Sequence, residues 1–232
     1  MIQRKNQNAL SSAEWDDLID ALDRTHGVPA AAPRYRDFVK VHSRAMNPTD
    51  MVGMSWGVHT MGTMMRGRNF LSWHRRFVFR LEARLRKVHP DVTIPYWNAL
   101  VDRAIPTRLA DPQFVGRWGI QRNWKASLLA PAKDLKVLKG FSSFDSFQSA
   151  IEGAVHASVH NAVGGDMASG SSPADPLFFL HHANIDRLWA EWQTQHKTAR
   201  PSNLDERLKP SPLFGVKVRT QLKIKTLGYE YV

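Results

Sequence analysis

The stretch Ser172-Pro173-Ala174-Asp175-Pro176-Leu177-Phe178-Phe179-Leu180-His181-His182-Ala183-Asn184-Ile185-Asp186-Arg187-Leu188-Trp189 reads as a loop passing into a helix. Ile185, Leu188, Trp189 and Trp192 recur at three- and four-residue spacing, which predicts a helix within 175–196 with two adjacent histidines near its start. Upstream, residues 163–176 form a Gly/Ser/Pro loop, and residues 144–160 carry helical spacing that ends in His156 and His160. Further back, Leu71 to Val88 predicts a helix stopped by His89-Pro90, and Tyr35, Phe38, Val39, His42 and Met46 predict another. Near the start, Ser11-Ser12-Ala13-Glu14 offers a serine cap with a following glutamate, ahead of Trp15, Leu18, Ile19 and Leu22 on one face. Residues 91–131, with Pro95, Pro106 and Pro112, read as a long irregular connection. In the tail, Val216 to Val232, alternation in places, as at Val216, Val218, Leu222 and Ile224, predicts a short strand or two. The fold class is mainly α, a helical bundle with long loops and a few short strands, forming one domain over 1–232.

Composition narrows the chemistry. With 43% hydrophobic and 23% charged residues over 232 positions the chain is globular, and no apolar run approaches a membrane span. There is no cysteine, so disulfides, thiolate metal sites, iron–sulfur clusters and cysteine nucleophiles are excluded, and a metal must be held by nitrogen or oxygen. The first fifteen residues begin basic with no apolar core of ~7–15 residues behind them, which predicts a cytoplasmic protein or one exported without a signal of its own. The net charge of +11 raises the question of a nucleic-acid partner. Much of that charge falls at Arg66, Arg68, Arg75, Arg76, Arg80, Arg84, Arg86 and Lys87, mostly opposite Phe77, Val78, Leu81 and Leu85, which favours a solvated helix face over a nucleic-acid footprint.

Ten histidines carry the rest. His26, His89, His196 and one of His181 and His182 have no evident ligand role; the other six form two sets of three. His42 lies on a face with Phe38 and Val39, and His74 on one with Phe77, Val78 and Leu81, so both imidazoles point inward, where they need partners; His59 joins them. His156 and His160 stack one helical turn apart, and the third member of that set is His181 or His182, between which helical geometry does not choose. Imidazole suits copper, zinc, iron or nickel, and a three-histidine site leaves coordination positions open. A di-iron centre would need Glu-x-x-His pairs, which neither set has, so two all-histidine sites favour copper.

On these residues the chain resembles the tyrosinase and catechol oxidase family of type 3 dicopper proteins. Phe70 to Arg76, Ile94-Pro95-Tyr96-Trp97-Asn98, Val155 to Asn161 and the opening run of residues 172–189 carry the resemblance, which extends over essentially the whole chain. It implies a bundle enclosing two copper ions, one held by His42, His59 and His74 and the other by His156, His160 and His182, with His181 behind them. It also implies dioxygen as co-substrate, oxidation of o-diphenols to o-quinones, small phenolic substrates, and a copper-delivery accessory protein as a partner. Neither nucleic acid nor membrane is an expected partner. Ala157, Asn161, Phe178 and Gln148 are expected around the substrate pocket, under a basic rim.

Three departures from the family pattern stand out, and the third bears on activity. Residues 60–68, with Met61, Met64 and Met65, look like an insertion at the pocket entrance. No cysteine exists for the thioether to a copper-site histidine that some members carry. Ala157 stands where tyrosinases often place asparagine, and Gln148 where a glutamate is expected, with Glu152 one turn from His156. A pair without that water-holding function predicts catechol oxidase or o-aminophenol oxidase chemistry over hydroxylation of monophenols. The alternative of another class is a non-catalytic dicopper oxygen-binding protein, whose pocket would be shielded by a further domain for which 232 residues leave no room.

Overall fold

The structure is a computed structural model that describes residues 1–27, 34–60, 67–211 and 214–232. Its helices are α1 (Ser12–Gly27), α2 (Tyr35–Met46), α3 (Met51–Met54), α4 (Phe70–Leu85), α5 (Thr107–Ala110), α6 (Pro112–Trp118), α7 (Asp134–Lys139), α8 (Phe144–Ala150), α9 (Ala157–Val163) and α10 (Leu177–Gln195). Two short strands, β1 (Ile2–Arg4) and β2 (Tyr229–Tyr231), pair in parallel with Ile2 opposite Tyr229. No helix among the described residues is long and apolar enough to cross a membrane.

The start of α1 follows its sequence signal. Ser11 Oγ accepts from the Glu14 N–H at 3.2 Å and the Glu14 carboxylate accepts from the Ser11 N–H at 2.8 Å, which satisfies two otherwise orphaned donors. The first ten residues of α10 are all buried, polar His181, His182, Asn184 and Asp186 among them, so this helix is the central one. It packs on α4 and α2 through aromatic rings that converge on Phe77, with Phe179 at 5.3 Å, Phe38 at 5.4 Å and Phe178 at 5.8 Å between centroids. Burying each such ring contributes roughly 1.5–3 kcal/mol.

A buried ionic network fixes α4 against α10. The Arg75 guanidinium pairs with Asp186, as does Arg4, which also forks onto Glu82 at 2.8 and 3.0 Å. Tyr229 and Tyr231 each donate to Asp186 at 2.6 Å. Burial alone would raise the Asp186 pKa, but the adjacent Arg75 and Arg4 hold it below the usual carboxylate range. Arg75 is therefore not on the solvated helix face expected from its neighbours: it is fully buried, with Trp189 stacked 3.6 Å from its guanidinium carbon.

Three stretches differ from the sequence expectation. Residues 91–131 contain α5 and α6; Asp111 caps α6 ahead of Pro112, and Gly119 closes it in the left-handed region at φ 67°. Residues 144–160 are not one helix, because a π-helical turn over 151–156 with non-helical Gly153 separates α8 from α9. The tail alternation at 216–224 forms 3-10 turns, and the strand lies further on at Tyr229–Tyr231, where pairing with the N-terminus and the hydrogen bonds to Asp186 hold it.

Candidate metal centre

The first histidine group draws on two helices and a loop. His42 comes from α2, His74 from α4, and His59 from the segment between α3 and α4; all three are buried. His42 Nδ1 donates to the Gly170 carbonyl and His74 Nδ1 to the Phe70 carbonyl, both at 2.8 Å. A carbonyl only accepts, so each Nδ1 carries the proton and each Nε2 presents a bare lone pair. His59 has a different partner, the Glu152 carboxylate 3.6 Å from its Nδ1.

The second group rests on helical segments. His156 ends the π-helical turn and donates from Nδ1 to the Glu152 carbonyl at 3.0 Å; His160 on α9 donates to the Met167 carbonyl at 2.7 Å. Loop 164–172 reaches this position because Gly165 adopts φ 54° against Gln121, where a Cβ would lie 2.0 Å from a backbone oxygen. The same loop thus supplies a carbonyl to each group, Met167 to His160 and Gly170 to His42. His181 and His182 are both buried at the start of α10, and the structure brings four imidazoles together here, their donor atoms within 4.8 Å of one another. The two differ in what they face. His182 stacks on His74 of the first group at 4.1 Å and places its Nε2 3.4 Å from that of His160, whereas His181 stacks behind His156 at 5.5 Å.

Burial pushes the His42, His74, His156 and His182 imidazoles well below their usual pKa, and neighbouring histidines add to it; burial takes His160 down to about 4. All are therefore neutral at pH 7. The Nε2 atoms of His42, His59, His74 and His156 are buried without any hydrogen-bond partner, a costly arrangement unless something electrophilic meets them. Two clusters of convergent bare nitrogens, with no carboxylate in either donor set, fit a pair of copper ions.

A cavity of about 240 Å³ opens beside both groups, lined in part by His42, His59, His156, His160, Ala157 and Asn161. Asn161 is exposed at its edge. Phe178 lies beneath the centre, 4.1 Å from the His182 ring and 4.9 Å from that of His42. Gln148 sits elsewhere: its amide oxygen accepts from the Leu71 N–H at 3.2 Å and its nitrogen donates to the Arg68 carbonyl at 3.3 Å, behind the start of α4. No charged side chain is among the described residues lining the cavity, so these do not form the expected basic rim. The methionines of the apparent insertion, Met61, Met64 and Met65, fall in residues 61–66, outside the described residues. Of the remaining histidines, His26 stacks on Trp118 at 4.0 Å, His196 on Trp192 at 4.6 Å, and His89 bonds Asp20 at 2.6 Å. The orienting carbonyls of Gly170 and Met167 escaped the sequence reading, since a backbone acceptor has no residue signature.

A fully nitrogenous, buried dinuclear centre inside an α bundle defines a dicopper protein of the type 3 class. The family model for the common central domain of tyrosinase matches residues 32–127 and 108–195. The chain is 30% identical to a tyrosinase of Streptomyces lincolnensis, covering 90% of this chain and 92% of that one, and 31% identical to a tyrosinase of Streptomyces antibioticus, covering 86% and 85%. Its fold resembles a functional unit of octopus hemocyanin (TM-score 0.81, 23% identity, 100% of this chain and 68% of that one). It also resembles a polyphenol oxidase variant from Thermothelomyces thermophila (TM-score 0.75, 17% identity, 100% and 89%). The chain belongs to the tyrosinase family. It is a copper-dependent polyphenol oxidase with dioxygen as co-substrate.

Proposed function

We propose that this single-domain protein oxidises o-diphenols to o-quinones, and that this activity clearly exceeds hydroxylation of monophenols. His42, His59 and His74 would hold one copper ion, and His156, His160 and His182 the other. When bound, the copper pair supplies a place for dioxygen and a route for the two electrons that leave each diphenol. The chain's own side chains orient and exclude. Carbonyl-anchored imidazoles keep their Nε2 atoms in place, Phe178 and Phe70 close the floor against water, and the uncharged cavity lining accepts a neutral phenol ring.

The preference for diphenols rests on proton transfer. A monophenol, with a pKa near 10, needs a positioned base to bind as phenolate at neutral pH. Ala157 has no accepting side-chain atom, Gln148 is engaged behind α4, and both Glu152 oxygens already accept hydrogen bonds from Thr60. Apart from the histidines themselves, no described side chain lining the cavity is a base.

Copper content together with oxygen uptake on catechol and on tyramine tests the proposal. Two ions per chain, rapid uptake on catechol and slow uptake on tyramine are expected; efficient tyramine turnover without a lag would overturn the preference, and reversible oxygen binding with unreacted catechol would favour a carrier. A copper-delivery accessory protein belongs to the same proposal: protein produced alone should then hold little copper until copper is added.

A further inference from the structure

We infer that Glu152 is a positioning residue linking the two histidine groups, its carboxylate setting the loop that carries His59 while its backbone carbonyl sets His156. The inference rests on the dicopper reading and goes beyond it. His59 alone among the six proposed ligands lies outside a helical segment, and its Nδ1 lacks the carbonyl anchor that His42, His74, His156 and His160 have. What holds its segment is Glu152. The Thr60 N–H donates to Oε1 at 2.6 Å, the Thr60 hydroxyl donates to Oε2 at 2.8 Å, and Oε1 lies 3.6 Å from His59 Nδ1. Gly67 closes the clasp by donating its N–H to the Thr60 hydroxyl at 3.0 Å. A Cβ on Gly67 would lie 2.7 Å from the Thr60 nitrogen and 2.8 Å from Glu152 Oε2, so the clasp excludes any side chain there.

The other end of Glu152 serves the second group. Its carbonyl accepts from His156 Nδ1 at 3.0 Å, and it lies in the π-helical turn kinked at Gly153, a local geometry that often marks functional sites. An ion on His156 therefore steadies the turn from which the carboxylate reaches His59. Outer partners of ligating histidines are typically worth 10–100-fold in metal affinity. The carboxylate therefore serves the first group, while only the backbone carbonyl of Glu152 serves the second.

Calorimetric titration of the metal-free full chain with zinc, a redox-inert probe, tests the link, with circular dichroism confirming that each variant is folded. Wild type should take two ions. Glu152→Ala should weaken one of them by about 10–100-fold and leave the other unchanged; Glu152→Gln, which keeps an oxygen for the Thr60 N–H, should recover much of the loss. Gly67→Ala should mimic Glu152→Ala by displacing the carboxylate. In a His42→Ala background, where the first group is already broken, Glu152→Ala should not weaken the remaining ion further. Should Glu152→Ala fail to fold, Thr60→Val carries the test, with a smaller loss at the same ion expected. Two ions at wild-type affinity in the tested Glu152 or Thr60 variant, or equal weakening of both ions, would overturn the inference alone. Fewer than two ions in wild type would overturn the dicopper reading and the link together.

Discussion

The two histidine groups hold equivalent donors by unequal means. In the second, His156, His160 and His182 sit on helical segments, and His156 and His160 have Nδ1 tied to carbonyls four and seven residues away. In the first, only His74 has a local anchor; His42 leans on Gly170 and His59 on Glu152, each more than ninety residues away. Helical spacing delivers ligands cheaply, because backbone hydrogen bonds already fix their direction. A loop ligand depends on the rest of the fold being in place.

The largest expected effect comes from the residue that touches both groups. His182→Ala should lower copper from two ions to one and reduce oxygen uptake on catechol to background, since its ring also stacks on His74. His181→Ala should keep most of the metal; the reverse pattern would reassign the ligand. Asp186→Ala should erase the contrast between the groups by freeing α10 from α4. It leaves Arg4 and Arg75 buried without their shared counter-charge, a loss of about 3–5 kcal/mol, measurable by urea unfolding. Equal stability in the variant would mean that the packing around Phe77 alone sets the register.

A subtler difference lies in pH. A histidine whose pKa is lowered on folding binds its proton more readily when unfolded, so acid favours unfolding. The metal-free protein should lose stability as pH falls below about 6.5, through pH 4 where His160 titrates, and both groups contribute through His42, His74, His156, His160 and His182. Bound metal should carry that dependence to lower pH, because an Nε2 held by metal takes up no proton in the folded state; thermal melts across pH with and without copper check it. The smallest effect is expected at the shared mouth, where Ala157→Asn should raise tyramine hydroxylation only severalfold, as the asparagine would arrive without a free carboxylate to share a water with it. A gain that matched the catechol rate would show that residue 157 alone limits hydroxylation.

Local periodicity was enough to read α1, α2, α4 and α10 and the inward direction of His42 and His74, since helix faces are encoded within a few turns of sequence. It failed where the determinant was remote or was a backbone atom. The break between α8 and α9 interrupts an apparently continuous helical pattern, and the C-terminal strand pairs with residues more than 220 positions away. Gln148 illustrates the same limit: the family resemblance placed it at the pocket, but its place behind α4 is set by the Leu71 N–H that it satisfies.

By itself the sequence determined the chemistry: no thiolates, two imidazole sets, a mainly helical frame and a family whose motifs select His182. Tertiary structure decided which way His181 and His182 face, which carbonyls hold each Nδ1, that Arg75 is an interior charge, and that Glu152 spans both groups. The physical reason is range. Residue type and helical phase act over a few residues, whereas the direction of a metal ligand depends on hydrogen-bond acceptors that only the folded chain brings beside it.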